Sequence, residues 1–271
     1  MSIKAYLKRV YTEWIDFPHK EGTDLLGQFR IERFLGMGSY GLTYLCRDMG
    51  TGEEVVLKQA KPSKKQLGRD LLLREYEIMQ RLQHPSIPHC VAAVHERKQM
   101  YMITEYVKGQ TVEDLIFARG YRYSEHEALL LIRKLMEVVR YLHEQRFVHL
   151  DIRIPNVILH RDCLHLIDFG LASRIGEPPS QPFGSDEELK RKRTAEIASD
   201  LYAIGHFMLF MLYSTYEAGQ AQTETGSLSW EEELQLTPAT KGMLRKLLQT
   251  DAAYGSTEAF IEDLDAILRT T

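Results

Sequence analysis

The sequence is poor in cysteine: Cys46, Cys90 and Cys163 are its only thiols in 271 residues. Three scattered cysteines make neither a disulfide framework nor the paired spacing of a zinc site, and a reducing, cytoplasmic setting is expected. An excess of one charge is also lacking. Thirty-four Lys and Arg against 38 Asp and Glu leave a net charge of −4, which gives no footprint for nucleic acid. Long apolar runs are missing too. The most apolar stretch, 201–213, is interrupted by Gly205 and His206. It falls short of the roughly 18 residues of a membrane span, so it reads as a buried helix and no transmembrane segment is expected. The first ten residues mix Lys4, Lys8 and Arg9 with apolar positions and do not read as a signal peptide. Internal repeats and low-complexity segments are absent. What remains is 44% hydrophobic residues, enough to bury a large core in one bilobal domain or two small ones.

Residues 2–15 have helical spacing, with Ile3, Leu7, Val10 and Trp14 on one face. Such a helix docks on its own domain, on a partner or on a membrane surface. A polar linker, 19–23, follows. Alternating segments 29–35, 43–47 and 55–59 predict strands, and 67–83 predicts a helix with Leu71, Leu72, Ile78, Met79 and Leu82 on its apolar face. Pro85 closes that helix by restricting His84. Strands are expected at 89–94 and 100–105. After Gly109 the pattern turns helical, at 111–118, 124–145, 199–213, 238–248 and 257–269, interrupted by short strands at 157–159 and 165–167. The expectation is an α+β chain: an N-terminal helix and linker over 1–28, a small β-rich lobe over 29–109 and a larger helical lobe over 110–271.

Gly36, Gly38 and Gly41 give G-x-G-x-x-G between two strands, which suits a flap over nucleotide phosphates and not a Rossmann turn. Lys58 lies in the third strand among apolar neighbours, and a buried ammonium needs a partner; Glu75, on the inward face of the next helix, is the candidate. Further on, Asp151 and Asn156 stand five residues apart, and Asp168-Phe169-Gly170 follows a short apolar strand. Asn156 and Asp168 offer the oxygen ligands that Mg²⁺ prefers, and Asp151 can orient a hydroxyl for attack on phosphorus. A second His-Arg-Asp triplet, 160–162, has Ile167 where a ligand would be needed and reads as a polar turn.

These motifs, in this order and spacing, resemble the eukaryotic-like (Hanks-type) serine/threonine protein kinase family over about 29–269, with a bacterial wording in 199–205. The resemblance implies a bilobal kinase fold, ATP and Mg²⁺ as cofactors, and a protein substrate with a Ser or Thr acceptor. It implies nucleotide contacts from Gly36, Gly38, Gly41, Thr43, Val56, Lys58, Thr104 as gatekeeper, the hinge residues Glu105 and Val107, and Leu159. It makes Asp151, Lys58, Glu75 and Arg153 catalytic, Asn156 and Asp168 metal ligands, and Met79, Cys90, His149 and Phe169 a stacked spine.

The sequence departs from that family in three places. Leu150 replaces the arginine that receives a phosphorylated activation loop. Arg153 replaces a lysine usual in Ser/Thr kinases, so that position leaves Ser/Thr against Tyr open. The Ala-Pro-Glu motif is absent before Asp200, and Gly255 stands where its arginine partner would be; losing both members of a buried pair can be nearly neutral. A shortened segment that needs no phosphorylation is expected. The charged run 187–193 either attracts an acidic substrate or is a solvated face. A nucleotide-binding pseudokinase scaffold and a small-molecule kinase of the aminoglycoside or choline type are the competing functions.

Overall fold

The computed structural model describes residues 15–179, 183–216 and 229–270. The helix expected over 2–15, apart from Ile15, lies outside the described residues. The chain divides into two compact units. The first runs to Gln83 and resumes over Pro88–Val107; the second comprises His84–Ile87 and everything from Lys108.

The first unit is a six-stranded antiparallel sheet in the order β1-β2-β3-β4-β6-β5, with one long helix. Its strands are β1 (Asp24–Leu25), β2 (Phe29–Met37), β3 (Gly41–Asp48), β4 (Glu54–Ala60), β5 (Cys90–Glu96) and β6 (Gln99–Glu105). Strand alternation sends Ile31, Tyr44, Cys46, Val55, Leu57, Tyr101 and Ile103 into one core cluster. The register pairs Thr43 with Lys58, and Val56 with Thr104, on the opposite face. Helix α1 (Lys65–Met79) buries Leu72, Glu75, Ile78 and Met79. It ends four residues before the expected 83, because the chain turns at Gln80–Leu82 through Arg81 N–H donating to Ile78 O and Leu82 N–H to Met79 O.

The second unit is mainly helical: α2 (Glu125–Glu144), α3 (Glu187–Arg193), α4 (Ile197–Leu212), α5 (Trp230–Glu233), α6 (Pro238–Leu247) and α7 (Thr257–Leu268). Ser124 and Glu127 form a capping box that starts α2. The short strands β7 (Gln110–Thr111), β9 (Val157–His160) and β10 (Cys163–Leu166) make one small sheet, and β8 (Phe147–Val148) pairs with β11 (Ser173–Arg174). The 160–162 triplet sits at the turn between β9 and β10, with His160 ending β9 and Arg161 in the left-handed region.

One expectation is refined and one corrected. The helix expected over 111–118 is present from Val112 to Ala118, its last five residues, Asp114–Ala118, forming a π-type turn closed by Arg119 N–H donating to Asp114 O at 3.0 Å. Reciprocal bonds between Thr111 and Asp114 start that turn, and Gly120 at φ +67° stops it. The apolar run is also longer than expected, since Ile197–Thr215 is long and apolar enough to cross a membrane. It is a core helix here: Asp200 is fully buried on it, and it packs against α2, α3 and α6.

Candidate functional site

In the first unit, Lys58 reaches across to α1, and its Nζ lies 2.8 Å from both carboxylate oxygens of Glu75. The Glu75 side chain is only 4% exposed and that of Lys58 19%, so each neutralises a charge the other could not leave buried alone. Gly41 passes directly over this lysine. A Cβ there would lie 3.3 Å from Lys58 Cε and from Gln59 O, a tight fit that the lysine or the strand would have to relax to accept. Gly38 N–H donates to Gly41 O and closes the turn between β2 and β3. Thr104, at the end of β6, is buried, and His89 and Glu105 bond reciprocally at the start of the hinge. Burial pushes the Cys90 thiol up to about 11, so it stays protonated as a small apolar group; the Cys46 thiol rises to about 12 for the same reason.

In the second unit, the loop after β8 is bound from beneath by Asp200. Its Oδ2 accepts the His149 N–H and its Oδ1 the Leu150 N–H, both at 2.8 Å. His143 Nε2 lies 3.0 Å from the same carboxylate, and His143 Nδ1 lies 2.6 Å from Thr257 Oγ1. Burial works to raise the Asp200 carboxyl, but the hydrogen bond and charge of His143 and the His149 N–H outweigh it. The result lies below the ordinary 3.8. Leu150 is held at φ +59°, which costs an aliphatic residue about 1–2 kcal/mol.

His149 is fully buried, and burial drives its imidazole below 6.5 against the pull of Asp200, Asp151 and Asp168. Its Nδ1 accepts the Asp151 N–H, and its Nε2 faces Ile167 O at 3.2 Å, so Nε2 carries the proton of a neutral ring. That ring meets Phe169 edge-on at 4.8 Å. Asp168, before it, sits at φ +63°.

Asp151 and Asn156 are brought together. Asn156 Nδ2 donates to Asp151 O and Oδ2, both at 2.9 Å, and Arg153 Nε donates to the same Oδ2 at 3.1 Å. These bonds use the Asn156 amide nitrogen, and its side-chain oxygen is of the type that could ligate a cation. Buried Ile152 and Ile154 anchor the loop between them. Among the described residues, no group of three or more His, Cys, Asp or Glu side chains is placed to hold an ion alone. Two oxygen donors completed by phosphate oxygens suit Mg²⁺, a hard cation of this kind.

Leu150 is buried with Val148 and Ala195, and Ile175 packs against them. An apolar contact thus joins the loop to the segment after Asp168-Phe169-Gly170, where phosphate and arginine would otherwise meet. Pairing of β11 with β8 fixes the start of that segment, and Gly176 N–H donates to Ala195 O at 2.8 Å near its end. Two side chains that contact this loop or its support escaped the sequence reading. The first is His143, which props Asp200. The second is Arg193, which the run 187–193 offered only as one of four consecutive cations; the run is the helix α3, and Arg193 turns inward from it.

Residues 29–258 match the protein kinase domain family. The chain is 34% identical over 271 residues to Probable serine/threonine-protein kinase YbdM of Bacillus subtilis, with 99% of each chain covered. It is 28% identical over 256 residues to Calcium-dependent protein kinase 7 of Arabidopsis thaliana, covering 85% of this chain and 47% of that protein. It is 27% identical over 241 residues to Probable serine/threonine-protein kinase KIN1 homolog of Enterocytozoon bieneusi, covering 84% and 40%. It therefore spans nearly all of the bacterial relative and less than half of these two eukaryotic ones.

Proposed function

The chain belongs to the protein kinase family, and from that premise we propose that it transfers the γ-phosphoryl group of Mg·ATP to Ser or Thr hydroxyls of protein substrates through Asp151. It is a serine/threonine protein kinase by its family match and its full-length bacterial relative. The observation that carries the assignment of Asp151 is its fixed carboxylate. Asn156 and Arg153 hold one oxygen, and Asp200 locks the backbone just before it. A base so held orients an incoming hydroxyl without reorganising, which is what phosphoryl transfer demands of the protein.

Lys58, fixed by Glu75, would meet the α- and β-phosphates beneath the Gly36–Gly41 turn, while Val56, Thr104, Glu105 and Val107 of the same unit would receive the adenine. Asn156 and Asp168 would hold Mg²⁺, which when bound neutralises charge on the transferring phosphate. A pseudokinase that only binds nucleotide would have no use for a fixed Asp151 carboxylate, and the intact Lys58–Glu75 pair fits turnover. We also propose that activity is independent of activation-segment phosphorylation, because Leu150 docks the segment through Ala195 and Ile175 and cannot receive a phosphate. A cytoplasmic setting fits the free cysteines Cys46, Cys90 and Cys163.

The test is incubation of the pure chain with labelled ATP, Mg²⁺ and a panel of generic protein acceptors, beside an Asp168→Asn variant. Label should appear on Ser or Thr of the acceptors with the parent and vanish with the variant. Undiminished transfer by Asp168→Asn would remove that residue from the assignment.

A further inference from the structure

We propose that Arg193 is a positioning residue for phosphoryl transfer, clamping the Leu150 carbonyl and the Asp151 carboxylate together from the segment that replaces Ala-Pro-Glu. The inference rests on Asp151 being the catalytic carboxylate.

The four cations of α3 are not equivalent. Lys190 and Lys192 pair locally with Glu187 and Glu188 on an exposed helix face, which is where surface charges contribute little. Arg193 instead reaches 43 positions back along the chain to donate through Nη1 to the Leu150 carbonyl oxygen. Its Nη2 lies 3.5 Å from Asp151 Oδ1. Its side chain is 32% exposed, against 59% for Lys190.

The atoms it meets are those left open by the other contacts. Asp200 takes the N–H of Leu150, and Arg193 takes its C=O, so both polar groups of a residue in the left-handed region are held. Asn156 and Arg153 take Oδ2 of Asp151, while Arg193 faces Oδ1. Contacts at both oxygens restrict rotation of the carboxylate about its last torsion and bias its direction toward an acceptor hydroxyl. One planar guanidinium fork spans the carbonyl and the carboxylate; a lysine offers a single point charge and cannot. Arg193 is not on a loose tether either, since Ala195, two residues on, accepts the Gly176 N–H and is buried against Leu150.

The experiment uses the full chain with Arg193→Ala and Arg193→Lys, with Lys190→Ala and Arg191→Ala as charge controls and Asp151→Asn as a reference. Initial rates give kcat and the KM for ATP and for a protein acceptor, and thermal unfolding reports folding. Arg193→Ala should lower kcat by about tenfold or more, about 1.4 kcal/mol in the barrier, while the KM for ATP stays within about twofold. Millimolar guanidinium should restore part of that rate. Arg193→Lys, which keeps the charge and the fold, should restore it only in part, and the two charge controls should behave as the parent does.

An unchanged or increased kcat in Arg193→Ala would overturn the proposal, the increase marking the contact as inhibitory. So would an equal loss in Arg191→Ala, or a loss that tracks a fall in Tm and ignores guanidinium. If Arg193→Ala does not fold, a fully active Arg193→Lys overturns it and a slowed, folded one supports it. Full activity in Asp151→Asn would instead remove the reading of Asp151 on which the proposal rests.

Discussion

The loop from His149 to Asn156 and the segment from 183 to 196 are built by opposite means. In the loop His149, Leu150, Ile152, Ile154 and Asn156 are all buried, and its backbone groups are answered by buried side chains. In the segment, α3 buries no residue; the ion pairs of Lys190 and Lys192 are local and exposed, and Arg193 reaches back to Asp151. A buried polar network allows no partial edits, because removing one partner leaves another unsatisfied in a low dielectric. An exposed helix tolerates rebuilding as long as its ends stay attached. The difference accounts for a missing Ala-Pro-Glu beside an Asp151–Asn156 stretch that keeps both of those residues, with its one substituted position, Arg153, on the exposed side.

Asp151→Asn breaks the comparison most directly. It should lower kcat by on the order of 10²–10⁴ with little change in Tm, read from initial rates and thermal melts. A variant within tenfold of the parent would mean that the loop's rigidity serves something other than base positioning.

Asp200→Asn attacks the support beneath the loop and should cost stability as well as rate, by about 3–5 kcal/mol in urea melts at neutral pH. The sign of its pH dependence follows from a folded-state carboxyl below 3.8. The stabilisation is complete above 3.8 and is lost as pH falls through the lower folded value. The deficit of the variant should therefore shrink below about pH 4. A deficit independent of pH would assign the loss to packing.

His149 sharpens the contrast at milder pH. Its folded value lies below 6.5, so the unfolded chain binds the proton more readily and stability falls as pH drops below 6.5. The slope should reach up to about 1.4 kcal/mol per pH unit from this residue. His84 and His206, also lowered by burial, add to it with the same sign. Urea melts of the parent and of His149→Gln between about pH 8 and pH 5.5 separate its share.

The smallest effect belongs to the segment. Replacing Ser173, Ser180, Ser185 and Thr194 by Ala, singly and together, should leave initial rates within about twofold of phosphatase-treated parent. Of these, Ser180 lies outside the described residues. A tenfold loss on dephosphorylation, about 1.4 kcal/mol in the barrier and matched by the Ala variants, would show that phosphate and not the Leu150 contact docks the segment.

Much of this was legible in the sequence because it is locally encoded. Strand alternation puts Lys58 and Val56 on the face opposite Val55 and Leu57, and Ser124 with Glu127 announces α2. The spacing of Asp151 and Asn156 needs only one tight loop to bring them together. Other features have no local signature. The sequence determined that a lysine and a glutamate would need each other; only the tertiary structure made them the bidentate pair of Lys58 and Glu75. It offered four consecutive cations at 190–193, and the fold decided that one of them, Arg193, turns toward Asp151. Nor could periodicity disclose that His143 lies between Asp200 and Thr257, the latter 114 positions away. Helical and strand periods report which face is buried, whereas the partner of a buried polar group is chosen by how distant segments pack and which unsatisfied atom they leave within reach.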